Sequence, residues 1–122
     1  MIKSHFLAAI AACGLALACA GCDAAHPALS AEAQEGAKLM AGLGCGGCHK
    51  VPGVSGADGT VGPSLEHVGS QIYIAGMLRN NSENLQRWIL HPQAVVPGNV
   101  MPDIPMSGED ARKIAAYLET LR

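Results

Sequence analysis

Two cysteines and a histidine in the run Cys45-Gly46-Gly47-Cys48-His49 carry the most specific chemistry in the chain. A Cys-x-x-Cys-His spacing is the attachment signature of a c-type haem. Thiols three positions apart can each bond one vinyl group of a porphyrin. The adjacent histidine is then held where its imidazole can ligate the iron from one face. Gly46 and Gly47 leave the backbone room to turn sharply beside the macrocycle.

An iron with one histidine either takes a second protein ligand or keeps an open position, and that choice separates electron carriers from gas-binding or catalytic haems. Candidates must lie far enough from His49 for the chain to wrap to the other face. Met40 is too near, inside the segment leading to the attachment site. Met77 sits in an apolar run where a core-filling role competes. Met101 stands 52 residues beyond His49, in the stretch Asn99-Val100-Met101-Pro102 stiffened by prolines. Such stiffness suits a weak thioether ligand, because little entropy is lost on coordination. Met106 is the neighbouring alternative, and His67 and His91 would give a bis-histidine iron. His91, at a helix end before Pro92, is more simply a partner of the helix dipole. Met101 is the expected ligand.

The elements that must hold these residues are few. The chain has 122 residues, of which only 3% are aromatic, with 15 glycines. That is enough for one domain with a thin aliphatic core, which a haem packed at its centre would supplement. The formal net charge is −2, and no basic patch large enough to grip nucleic acid occurs. Of the five cysteines, Cys13, Cys19 and Cys22 lie in or beside an N-terminal apolar stretch, so no set remains for a disulfide framework.

Lys3 followed by the apolar run 6–20 has the form of a secretory leader. The run is shorter than the roughly 20 residues of a spanning helix, though an uncleaved anchor is an alternative. Ala18-Cys19-Ala20-Gly21-Cys22-Asp23 resembles a bacterial lipobox, which makes Cys22 the expected lipid acceptor and Cys19 the weaker one. The plainer reading is cleavage after Ala20, leaving Cys22 as a free thiol. Residues 1–22 are thus expected to be a leader of lipoprotein type, 23–30 a tether, and 31–122 the haem domain.

Ser30 is placed to cap a helix over 31–41, with Ala33, Ala37 and Met40 inward and Gly36 acceptable where another helix crosses closely. Residues 50–62 hold four glycines and one proline and form a loop. For 68–77 the pattern favours an irregular pocket-lining segment over a strand. Asn81 or Ser82 caps a helix to about His91, with Leu85, Trp88 and Ile89 as its stripe. The stretch 93–106 is expected to be stiff and extended, without regular structure. Ser107 and Asp110 open the final helix, whose inner face is Ile114, Tyr117, Leu118 and Leu121.

From about Ala31 to Arg122 the sequence resembles a class I cytochrome c. It is most similar to the cytochrome domains fused to subunit II of caa-type haem–copper oxidases. The closer match rests on Gly62-Pro63-Ser64-Leu65, His67-Val68-Gly69-Ser70, Ile74-Ala75-Gly76-Met77-Leu78, Asn84-Leu85, Trp88-Ile89, Pro92-Gln93, Pro97-Gly98-Asn99, Met101-Pro102 and Tyr117-Leu118. The resemblance implies an all-α fold, about three main helices and irregular loops around one covalently bound haem c. Cys45 and Cys48 would attach the haem, and His49 and Met101 would be its axial ligands. The Pro63 carbonyl would accept a hydrogen bond from His49. Trp88 would pack on the haem, with an indole N–H available to a propionate; ordinary core packing is the alternative. The first and last helices would cross near Gly36 and Tyr117.

Gln71 stands where related oxidase domains often carry arginine, which removes one propionate partner. No cupredoxin-like copper domain or transmembrane hairpin precedes the haem domain, so it is expected to work as a module on its own. The function implied is a non-enzymatic one-electron carrier in a respiratory chain, on the periplasmic side of the bacterial cytoplasmic membrane. A quinol-oxidising complex would be its donor and a terminal oxidase its acceptor. A haem subunit of a periplasmic dehydrogenase or reductase shares every local motif. A sensor or peroxidase haem would require Met101 not to bind.

Overall fold

A computed structural model describes residues 28–122. The described residues form four helices, α1 (Ala31–Gly42), α2 (Ser82–Leu90), α3 (Pro92–Val95) and α4 (Gly108–Leu118), and a small hairpin of β1 (Tyr73–Ile74) and β2 (Leu78–Arg79); α1, α2, α4 and β1 line a central cavity. The leader, the tether up to Pro27 and Cys22 lie outside the described residues. Among those described, no helix is long and apolar enough to cross a membrane.

α1 begins where Ser30 accepts a hydrogen bond from the Ala33 N–H at 3.1 Å, satisfying one orphan donor of the first turn. It buries Ala33, Gly36 and Met40 against α4, while Ala37 is only half-buried. At Gly36 the two helices meet backbone to backbone: a Cβ there would overlap the Lys113 carbonyl and press on the Ile114 nitrogen. The crossing thus falls one turn before Tyr117, the aromatic that the resemblance placed at it. Tyr117 is buried and instead donates its hydroxyl to the Pro52 carbonyl. An ion pair between Glu32 and Arg112 spans the same crossing at the surface.

α4 starts with a complete capping box: the Asp110 N–H donates to Ser107 Oγ at 3.0 Å, and the Ser107 N–H donates to the Asp110 carboxylate at 3.2 Å. Its inner face is Ala111, Ile114, Ala115, Tyr117 and Leu118, with Leu121 packed beside the core. α2 opens on Asn81, which accepts from the Asn84 N–H at 2.9 Å, and buries Leu85 and Ile89. Each fully buried Leu or Ile of this kind contributes about 1.5–3 kcal/mol relative to exposure.

Two stretches are more regular than the sequence indicated. The segment 68–77, expected to be irregular, holds β1 and the turn of a hairpin whose second strand follows it, paired Tyr73 with Arg79 and Ile74 with Leu78. Gly76 is in the turn: it and Ala75 take φ of 69° and 50°. Left-handed geometry at two successive turn residues matches the twist of a hairpin, and glycine adopts it without strain. The stretch after α2 also folds: Pro92 ends α2 but serves as the first residue of the one-turn α3. Proline's missing N–H costs nothing at that position.

Candidate haem site

A cavity of about 710 Å³ lies between α1, α2, the hairpin and the loops on either side. That falls in the size range of small-molecule and cofactor sites. Its wall brings together Cys45, Cys48, His49, Pro63, Trp88 and Met101. No aspartate, glutamate, lysine or arginine lines it, and most of the surface is apolar, with Leu85, Ile114 and Leu118 at its base.

The attachment motif leaves α1 through Gly44 and forms a tight 3₁₀ turn over Cys45–Gly47. The Cys48 and His49 N–H groups both donate to the Cys45 carbonyl, at 3.2 and 3.0 Å, so the two thiols and the imidazole issue from one compact turn. Neither cysteine is in a disulfide, and burial pushes the Cys45 thiol above its ordinary range, with Cys48 adding to the shift. Cys45 and Cys48 would hold a haem as thioethers, each S–H adding across a vinyl C=C bond with no oxidant or leaving group required.

The His49 ring is fixed by two contacts. Its Nδ1 lies 2.8 Å from the Pro63 carbonyl, which can only accept; the hydrogen therefore sits on Nδ1, and Nε2 keeps its lone pair for a metal. Gly62 lies flat against the ring, and a Cβ at that position would overlap the imidazole. Around it the loop is tied to the motif by backbone bonds, from the Gly62 N–H to the Cys48 carbonyl at 2.8 Å and from the Gly59 N–H to the Gly46 carbonyl at 3.0 Å.

Met101 enters the cavity wall from the loop between α3 and α4. Of the other ligand candidates, Met40 and Met106 also line the cavity. Met77 does not: it lies on the hairpin, 64% exposed. His67 and His91 are at the surface and outside the lining. Trp88 is half-buried, packed on the core and on the cavity at once. Gln71, the departure from the oxidase pattern, lines the mouth as a neutral amide.

Gly62, Gln93 and Asn99 have roles that the sequence reading did not assign. Gly62 makes room for the imidazole, and the two amides fasten the methionine loop. All three lay inside motifs quoted for the resemblance, and the only local signal was their position beside Pro63, Pro92 and Met101.

The thiol pair, an imidazole with a free Nε2, and an uncharged apolar wall of this volume suit a covalently held haem. Comparison with known proteins agrees. The family model described as cytochrome c matches residues 33–122. Cytochrome c oxidase subunit 2 of Alkalihalophilus pseudofirmus is 41% identical over 109 residues, covering 82% of this chain and 31% of that protein. Cytochrome c oxidase subunit 2 of Bacillus sp. strain PS3 is 34% identical over 82 residues, covering 64% of this chain and 23% of that protein. The chain therefore spans less than a third of the length of these relatives. The crystal structure of the c-type cytochrome SorU from Sinorhizobium meliloti shares the fold, with a TM-score of 0.53 at 18% identity over 74% of this chain and 90% of that one. The chain belongs to the cytochrome c family, electron-transfer haemoproteins whose haem c is covalently bound.

Proposed function

We propose that the protein is a one-electron carrier of a respiratory chain, with His49 and Met101 as axial ligands, passing electrons from a quinol-oxidising complex to a terminal oxidase. The observation that carries the ligand assignment is the convergence of His49, its Nδ1 turned to Pro63 at 2.8 Å, and Met101 on one cavity from two separate loops. Bound there, haem c supplies the one-electron couple of its iron. The chain's own residues set the conditions for it. The Pro63 carbonyl orients the imidazole and raises its basicity. The Met101 thioether is a soft neutral donor, which favours the reduced state. The aliphatic wall keeps out water and disfavours the more highly charged oxidised state. Val61 and Val100, 67% and 82% exposed, border the cavity and leave an apolar rim for contact with a redox partner.

Support for an oxidase as acceptor comes from the relatives, whose names place a similar segment within an oxidase subunit. Support for an extracytoplasmic site, with a lipid anchor on the periplasmic side of the membrane, comes from the leader-like run and Cys22.

Met101→Ala tests the carrier reading. The haem stays attached, the reduction potential falls by on the order of 0.2 V within the roughly 0.8 V that axial ligation commands, and carbon monoxide binds rapidly to the reduced protein. An unchanged spectrum would transfer the ligand role to Met106. For the anchor, Cys22→Ser is expected to move the mature protein into the soluble fraction. Persistent membrane association would reject lipidation at Cys22.

A further inference from the structure

The loop that presents Met101 has almost no regular structure, yet two side-chain amides hold its backbone at Val96, Gly98, Asn99 and Met101. Gln93, in the single turn of α3, sends one Nε2 hydrogen to the Met101 carbonyl at 2.7 Å and the other to the Asn99 carbonyl at 2.9 Å. Its Oε1 accepts from the Gly98 N–H at 3.1 Å, and its own backbone N–H donates to the Asp103 carboxylate at 3.3 Å. Asn99 completes the arrangement. Its Oδ1 accepts from the Met101 N–H at 2.7 Å, and its Nδ2 donates to the Val96 and Pro92 carbonyls at 2.7 and 2.9 Å.

Both backbone polar atoms of Met101 are thus held by side chains, one from Gln93 and one from Asn99. Both amides use their full complement of donor hydrogens. The fastening reaches both flanks of the methionine, through Gly98 and Asn99 on one side and Asp103 on the other. A proline-stiffened loop narrows the backbone's choices but does not fix where the loop sits relative to the cavity; these bonds do.

We propose that Gln93 and Asn99 are positioning residues that keep the Met101 thioether seated in the cavity and so exclude external ligands from that side of the haem. This rests on Met101 being the second axial ligand. Seating is an equilibrium between a closed loop and an open one, and an external ligand binds only the open form. Its apparent affinity therefore scales with the open fraction. Removing bonds that exist only in the closed form raises that fraction. Gln93 is the more telling position, because Gln93→Glu preserves shape while replacing both Nε2 donors with an oxygen facing two carbonyl oxygens.

The test is titration of the oxidised holoprotein with imidazole, followed by loss of the near-infrared band of methionine–iron ligation. Gln93→Ala and Asn99→Ala are each expected to raise imidazole affinity about tenfold, the size expected for losing one or two net hydrogen bonds. Gln93→Glu is expected to raise it further. Ser107→Ala, which breaks the cap of α4 beyond the amide-held part of the loop, serves as the stability control and is expected to stay within twofold of the unmodified protein. If Gln93→Ala and Asn99→Ala also stay within twofold, or if Ser107→Ala matches them, the positioning role is overturned. Met101→Ala separates the two claims: if it leaves imidazole affinity unchanged, the ligand assignment itself fails, whatever the amides do. Should Gln93→Ala yield no folded holoprotein, Asn99→Ala decides the matter alone.

Discussion

The two loops that carry the ligand candidates are built on opposite principles. On the histidine side, backbone bonds to the attachment turn do the holding, and specificity lies in a missing side chain at Gly62, where the imidazole needs the space. On the methionine side, the backbone makes few bonds to itself, and Gln93 and Asn99 supply the fastening. The difference is instructive. A ring that must stand against a wall is positioned by contact, which only the smallest residue permits. A flexible thioether has no such wall, so its backbone must be tied from several directions.

Perturbing each side in its own currency sharpens this contrast. Gly62→Ala is expected to be the most damaging single change, costing about 3 kcal/mol of stability because the overlapping group is a ring already hydrogen-bonded to Pro63. Chemical denaturation of the holoprotein, paired with the histidine-ligation spectrum, would measure it. A cost below about 1 kcal/mol would mean that the ring can move, and the histidine side would then be no more rigid than its counterpart. Breaking the amides should show the reverse profile, with a small loss of stability and a large gain in access to the iron.

The smallest effect lies outside both loops. Ser107→Ala is expected to cost about 1 kcal/mol through the lost cap of α4. It should also change the acid limb of the stability curve. The Ser107 hydroxyl, and then its backbone N–H, hold the Asp110 carboxyl below its ordinary range. A depressed carboxylate adds stability that is present above its unfolded value and is lost as pH falls below about 4. In Ser107→Ala that loss should be shallower. An identical acid limb in both proteins would show that the box does not couple to Asp110.

Legibility in the sequence followed the same division between local and distant causes. The attachment motif, the Ser107–Asp110 box and the stripe of α4 are all set by neighbours within one or two turns, and each stands where the pattern placed it, except that Leu121 lies past the end of the helix. Met101 was singled out by its distance from His49 and its proline-stiffened surroundings, whereas the role of Pro63 came only from the resemblance. The hairpin and α3 were not anticipated because Gly76 and Pro92 each act in two ways: a glycine weakens a strand but makes a hairpin turn, and a proline stops one helix while opening the next. The tasks of Gly62, Gln93 and Asn99 depend on what the fold brings against them, and no local periodicity carries that information.

The crossing of α1 and α4 has a consequence for how the molecule comes into being. Tyr117 reaches Pro52 across 65 residues, and Arg112 reaches Glu32 across 80. Ile114 and Leu118, which floor the cavity, belong to α4, which is synthesised after the other three described helices. Closing contacts of such long range is entropically slow. The cysteine pair is complete far earlier in synthesis, within a turn of five residues. The chemistry of attachment is therefore local and available while the chain is still open, whereas the enclosure that makes the cofactor useful must wait for the final helix to dock.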